Sequence, residues 1–214
     1  MRFFLSTCYL LSCFSVQAAH PEASPKSAQQ DPEAATGIYT KQQASSKYSM
    51  VVTANPLATE AGLTMLELGG SAVDAAIAAQ LMLGLVEPQS SGIGGGLFLL
   101  HWSEKQQLTT IDGRETAPKA ATPDWFRENG KLLPFRTAFV GGKAVGTPGV
   151  IAALYQAHQR HGKLPWADLF APAIKTATEG FKVSPRMHGL VADRSNPGLL
   201  NFASSQQYFY PDGE

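Results

Sequence analysis

The 214-residue sequence has two cysteines, Cys8 and Cys13, and none after them. Both lie in an apolar N-terminal run. The rest of the chain therefore has no thiol for a disulfide, a thiolate metal site or a cysteine nucleophile. An excess of either charge is also missing, since 17 Lys and Arg face 17 Asp and Glu and the net charge is zero. A nucleic-acid binder needs a basic footprint to displace counterions from phosphates, so this balance argues against nucleic acid as a partner. No apolar stretch reaches the roughly 20 residues of a transmembrane span. With 44% apolar and 16% charged residues, the composition is that of a globular chain able to bury a core.

Arg2, the mostly apolar stretch 3–16 and the small residues around Val16-Gln17-Ala18 read as a secretory signal peptide over 1–19, cut after Ala18 or Ala19. The protein is then expected in a periplasm or secreted. A second reading is a lipoprotein box, Leu10-Leu11-Ser12-Cys13, with Cys13 lipidated. Residues 20–47 are rich in Ala, Gln, Ser and Pro without hydrophobic period, which predicts a flexible leader. The folded part is expected over 48–214.

Order is expected to begin with a strand-like run at 48–52. Pro56 opens a predicted helix to Leu68, with Leu57, Ala61, Met65 and Leu68 on one stripe. Gly69-Gly70 ends it. Ser71 is placed to cap the next helix, 72–85, with Asp74 completing a capping box. That helix is apolar nearly all round and must be buried. A glycine-rich turn at 89–96 follows. Residues 97–102 read as a buried strand, 108–112 as its hairpin partner, and 139–145 as a third strand. Helices are predicted from Pro148 to Gly162 and from Pro165 to Gly180. Strands flanked by helices give an α/β or α+β layered domain. The final Tyr210-Pro211-Asp212-Gly213-Glu214 is turn chemistry, so a longer product is expected.

The run Gln89-Ser90-Ser91-Gly92-Ile93-Gly94-Gly95-Gly96 fails as a phosphate loop. No Lys-Ser/Thr follows its last glycine, and its order is helix, glycines, strand. The glycines read instead as places of tight backbone packing. Ser90 and Ser91 have no nucleophile elbow around them. His158 and His161, three apart near a helix end, have no third ligand at useful spacing. More pointed is Asp112-Gly113-Arg114-Glu115-Thr116-Ala117-Pro118, three charges at the end of a strand. Arg114 presents a fork suited to a carboxylate; its alternative is an internal ion pair with Asp112 or Glu115. On an extended chain Asp112 shares its face and Glu115 points away, so Asp112 is expected to orient it.

Six blocks in order resemble one family, the γ-glutamyltransferases (glutathione hydrolases). They are Asn55-Pro56-Leu57-Ala58 with Ala61-Gly62; Gly69-Gly70-Ser71-Ala72-Val73-Asp74-Ala75-Ala76; Glu87-Pro88 through Gly96; Asp112 through Pro118; Val145-Gly146-Thr147-Pro148-Gly149; and His161-Gly162-Lys163-Leu164-Pro165-Trp166. The resemblance implies an α+β fold of Ntn-hydrolase type, an αββα sandwich of which this chain is an incomplete part, the start of a large subunit. It implies a self-cleaving precursor whose small subunit carries an N-terminal Thr, nucleophile and its own base. The substrates implied are glutathione and other γ-glutamyl compounds, with water or an acceptor amino acid or peptide resolving a γ-glutamyl-enzyme. It places the grip on the substrate's α-carboxylate on Arg114, with Asp112 and Glu115 as possible supports.

The family's Thr-Thr-His nucleophile block is absent, and Leu108-Thr109-Thr110-Ile111 does not match it. No catalytic residue is therefore assigned within this chain, which by itself is expected to be inactive. No cofactor or metal is called for. Two other readings stay open: a related acylase or polyglutamate-processing enzyme, and a non-catalytic fragment.

Overall fold

The computed structural model describes residues 43–105, 107–194 and 196–213. The expected signal peptide at 1–19 and residues 20–42 of the expected leader lie outside the described residues. Residues 43–47 are exposed and without regular structure.

Helix α1 spans Pro56–Glu67 and α2 spans Ala72–Val86. Asn55 caps α1 by accepting from the Leu57 amide at 3.0 Å, with Pro56 at the first helical position. Between the helices Gly69 takes a φ of 84°, which a side chain would oppose. The expected capping box at α2 is present: Asp74 N–H donates to Ser71 Oγ at 3.2 Å, and Ser71 N–H donates to Asp74 Oδ2 at 2.7 Å.

The two helices pack on each other, and α2 is the centre of the core. Ile77, Leu81, Met82 and Val86 of α2 join Met65 of α1, Leu154 of α4 (Val150–His161) and Leu169. A 3-10 turn at Trp166–Phe170 leads into α5 (Ala171–Glu179), so the helix expected from Pro165 begins six residues later. Helices α6 (Pro185–Ala192), α7 (Pro197–Asn201) and α8 (Ala203–Phe209) follow.

Strands β1 (Phe98–Trp102) and β2 (Leu108–Asp112) form the expected antiparallel hairpin, pairing Phe98 with Asp112 and Trp102 with Leu108. β1 is not the fully buried strand expected. Leu99 packs on the core, while Phe98, Leu100 and Trp102 are between 63% and 71% exposed and Leu108 is 56% exposed. Among the described residues this hairpin has one face on the helices and nothing over the other.

Two further expectations are corrected. Residues 48–52 form no strand, because no neighbouring strand takes up their backbone groups; Val51 packs on the core instead. Residues 139–145 form no strand either. They follow a short helix α3 (Phe135–Ala138) and contain a 3-10 turn at Gly142–Ala144. This region belongs to an exposed excursion that includes a small hairpin, β3 (Arg127–Glu128) with β4 (Lys131–Leu132). Between Gly113 and Val150 no described residue is fully buried. The ends of the excursion meet where Thr147 N–H donates to Thr116 O at 2.8 Å.

Candidate functional site

Arg114 stands just past the end of β2. The backbone N–H of Arg114 donates to Asp112 Oδ1 at 2.9 Å, a turn closed by the Asp side chain two residues back. That turn ends the extended run, so the alternation of faces no longer applies beyond it. The expected partnership is accordingly corrected. The guanidinium pairs with Glu115, Nη1 to Oε2 at 3.1 Å, and Asp112 holds the Arg114 backbone rather than its side chain.

The two partners differ in exposure. The Arg114 side chain is 67% exposed and that of Glu115 26%. Glu115 Oε2 is closed off from solvent with Arg114 as its charge partner. One end of the fork is thus held from behind, and the other faces outward, free to take a carboxylate in bidentate fashion.

Glycines make the wall behind Glu115. A Cβ at Gly96 would stand 2.5 Å from Glu115 Oε2 and 2.8 Å from the Glu115 nitrogen. One at Gly146 would stand 2.8 Å from Glu115 Cβ. The glycine run is locked in place at this end. Leu97 and Gly113 exchange backbone hydrogen bonds at 2.9 and 3.3 Å, extending the hairpin ladder by one pair. The first amides of the α4 region, Gly149 and Val150, donate to Gly95 O at 3.0 and 3.2 Å. The glycines read from sequence as packing positions therefore serve the charged block that sequence placed apart from them.

The run's other end is tied by a polar cluster that the sequence reading missed. Glu87, buried, accepts from Asn55 Nδ2 at 2.8 Å and from Gln89 Nε2. Arg186 of α6 lies 3.4 Å from Glu87 Oε2 and donates to Ser90 Oγ at 2.9 Å. Gln80 donates to Ser91 Oγ at 3.0 Å. Neither serine has a histidine beside it among these contacts.

His158 and His161 diverge. His158 Nε2 bonds to Leu164 O at 2.8 Å and stands 3.8 Å from Asp74 Oδ1, whereas His161 stacks on His101. Among the described residues no three His, Cys, Asp or Glu converge as a metal site. No helix of the described residues is long and apolar enough to cross a membrane.

The family model described as gamma-glutamyltranspeptidase matches residues 58–214. This chain belongs to the γ-glutamyltranspeptidase family. It is 42% identical over 170 residues to a glutathione hydrolase proenzyme of Bacillus subtilis strain 168, covering 78% of this chain and 29% of that protein. It is 34% identical over 203 residues to a glutathione hydrolase proenzyme of Escherichia coli K12, covering 95% of this chain and 34% of the relative. The crystal structure of Helicobacter pylori γ-glutamyltranspeptidase superposes with a TM-score of 0.75 at 32% identity, over 80% of this chain and 49% of that one. The fold is thus α+β of the Ntn-hydrolase type. The chain spans about a third of the length of these curated relatives or less.

Proposed function

We propose that the complete protein containing this chain hydrolyses or transfers γ-glutamyl groups, and that Arg114 holds the α-carboxylate of the glutamyl head group. The internal ion pair with Glu115, offered by sequence as the alternative, is present, and what carries this reading is the side of Arg114 that the pair leaves exposed. Its guanidinium is anchored at 3.1 Å on one side and two-thirds exposed on the other. A free carboxylate on the substrate is what such a fork recognises, which favours γ-glutamyl compounds such as glutathione over acylase substrates without one. Names of relatives that include "glutathione hydrolase" support the same class.

In this reading a threonine hydroxyl outside the chain attacks the γ-carbonyl, its own α-amine taking the proton. The leaving amine departs with a proton, and a γ-glutamyl ester remains. Water, or the amine of an acceptor amino acid or peptide, then resolves that ester. The word "proenzyme" in two relatives' names supports a precursor cut into two subunits. We also place the protein outside the cytoplasm, on the signal-peptide reading of residues 1–19; a mature N-terminus still carrying residues 2–18 would refute it.

The test uses the complete protein and release of p-nitroaniline from γ-glutamyl-p-nitroanilide. Arg114→Lys keeps the charge but loses the fork, and is expected to remove about 2–5 kcal/mol of substrate binding, seen as a raised KM. Wild-type KM in that variant would overturn the assignment.

A further inference from the structure

Helix α4 is held against the β1 segment at both ends. At its start, Gly149 and Val150 donate to Gly95 O. At its last residue, the His161 ring stacks on the His101 ring of β1, centroids 4.0 Å apart and planes 24° from parallel. Two ring nitrogens here, His101 Nδ1 and His161 Nε2, are closed off from solvent and have no hydrogen-bond partner among the described residues.

Such a nitrogen is tolerable as a lone pair. As the N–H of an imidazolium with no acceptor it carries the cost of a buried polar group left unpaired. The first proton to enter the pair must put an N–H at one of these orphan positions. The groups bearing on the charge of His161 are His101, across from it on β1, and Arg160, beside it on α4; both oppose a proton there. His158, one turn earlier, faces away toward Leu164 O and Asp74. Once the stack has opened, an imidazolium at 161 is hydrated and sits well at a helix C-terminus. The open state therefore favours the protonated form that the closed state rejects.

We propose that the His101–His161 stack is an acid-operated latch, closed while His161 is neutral and opened as it takes up a proton. Opening frees the last turn of α4 from β1. The first turn stays on Gly95 and the residues just past the last turn stay on Asp74, so the release is confined to the last turn of α4. The proposal concerns this chain alone and does not depend on the function proposed above.

The test is residue-resolved amide exchange on the complete protein at about pH 7.5 and about pH 5, a window that brackets imidazole titration. After correction for intrinsic exchange, protection at residues 159–161 is expected to fall severalfold at the lower pH, while residues 150–154 keep theirs. His161→Phe keeps a ring to stack on but has nothing to protonate, so its last turn should stay protected. His101→Phe should behave the same way and serves if the first variant does not fold. An acid loss in both variants equal to that of the wild type would overturn the latch, and so would full protection of the wild type at the lower pH.

Discussion

The carboxylate of Asp74, at the start of α2, accepts a hydrogen bond from the Lys163 amide 2.9 Å away, across 89 positions of sequence. The Leu164 amide reaches the same oxygen at 3.3 Å, and Ser71 adds its N–H and its hydroxyl. Asp74 is completely buried. One carboxylate thus joins the cap of α2 to the chain leaving α4. Asp74→Ala is expected to leave these donors unpaired and cost about 3 kcal/mol or more, hydrogen bonds to a charged acceptor being worth about 1.5–3 kcal/mol each. Urea denaturation measures it; a loss below about 0.5 kcal/mol, the range of ordinary surface substitutions, would contradict the assigned role.

Gly96→Ala tests the wall behind Glu115. The added methyl must displace the Glu115 carboxylate or the Gly113 backbone, because both lie within 2.8 Å of it. A stability loss of about 1–3 kcal/mol is expected, as for other overpacked sites. In the complete protein KM for γ-glutamyl-p-nitroanilide should rise as well, because moving Glu115 moves Arg114.

Glu115→Gln separates holding from packing. The amide fills the same space among Gly96, Gly146 and Arg114 but withdraws the charge from the guanidinium. The complete protein should then bind its substrate more weakly, by about 1–2 kcal/mol for a charge-assisted contact reduced to a neutral one. A steady-state KM unchanged from wild type would show that Arg114 needs no support from Glu115.

Burial first, then His101, then Arg160 hold His161 below its ordinary value of 6.5. The unfolded chain therefore takes up this proton at a higher pH than the folded chain does. The contribution of His161 to stability is fully present above about pH 6.5 and is lost as pH falls through the folded value. Denaturation midpoints collected across that range should diverge between wild type and His161→Phe, with the wild type losing more in acid. Parallel curves would refute the sign.

The outer face of the hairpin, Phe98, Leu100, Trp102 and Leu108, is an exposed apolar patch of a kind associated with sticking. Leu100→Thr with Trp102→Thr should leave folding stability within about 0.5 kcal/mol, as for exposed positions. The double variant is expected to be more soluble than the wild type; equal solubility by light scattering would count against the patch.

Local chemistry made much of this frame legible. Pro56 marked α1, Ser71 with Asp74 marked α2, and two short strand-like runs at 97–102 and 108–112 marked the hairpin. The same cap-then-proline signal stands at Ser184-Pro185 and Asn196-Pro197, where α6 and α7 begin with Ser184 and Asn196 accepting from amides of their first turns. Asn129-Gly130, both at positive φ, is likewise a hairpin turn that the sequence displays. Residues 139–145 misled because an apolar run carries no information about whether a partner strand exists. The preference for Asp112 over Glu115 as the partner of Arg114 failed for a related reason: a side-chain-closed turn at Asp112 reset which way the next two residues face. The contacts of Glu87 with Arg186, 99 positions apart, have no local signature at all.

The pairing of Thr116 with Thr147 gives the excursion between them the character of a replaceable cassette. Its two ends are already together, and nothing within it is fully buried. Lengthening or shortening such a segment changes closure entropy by only about 0.6 kcal/mol per doubling of length. Changes of length between Thr116 and Gly146 that leave Gly146 against Glu115 are accordingly cheap, and α1, α2 and α4 keep the scaffold unchanged.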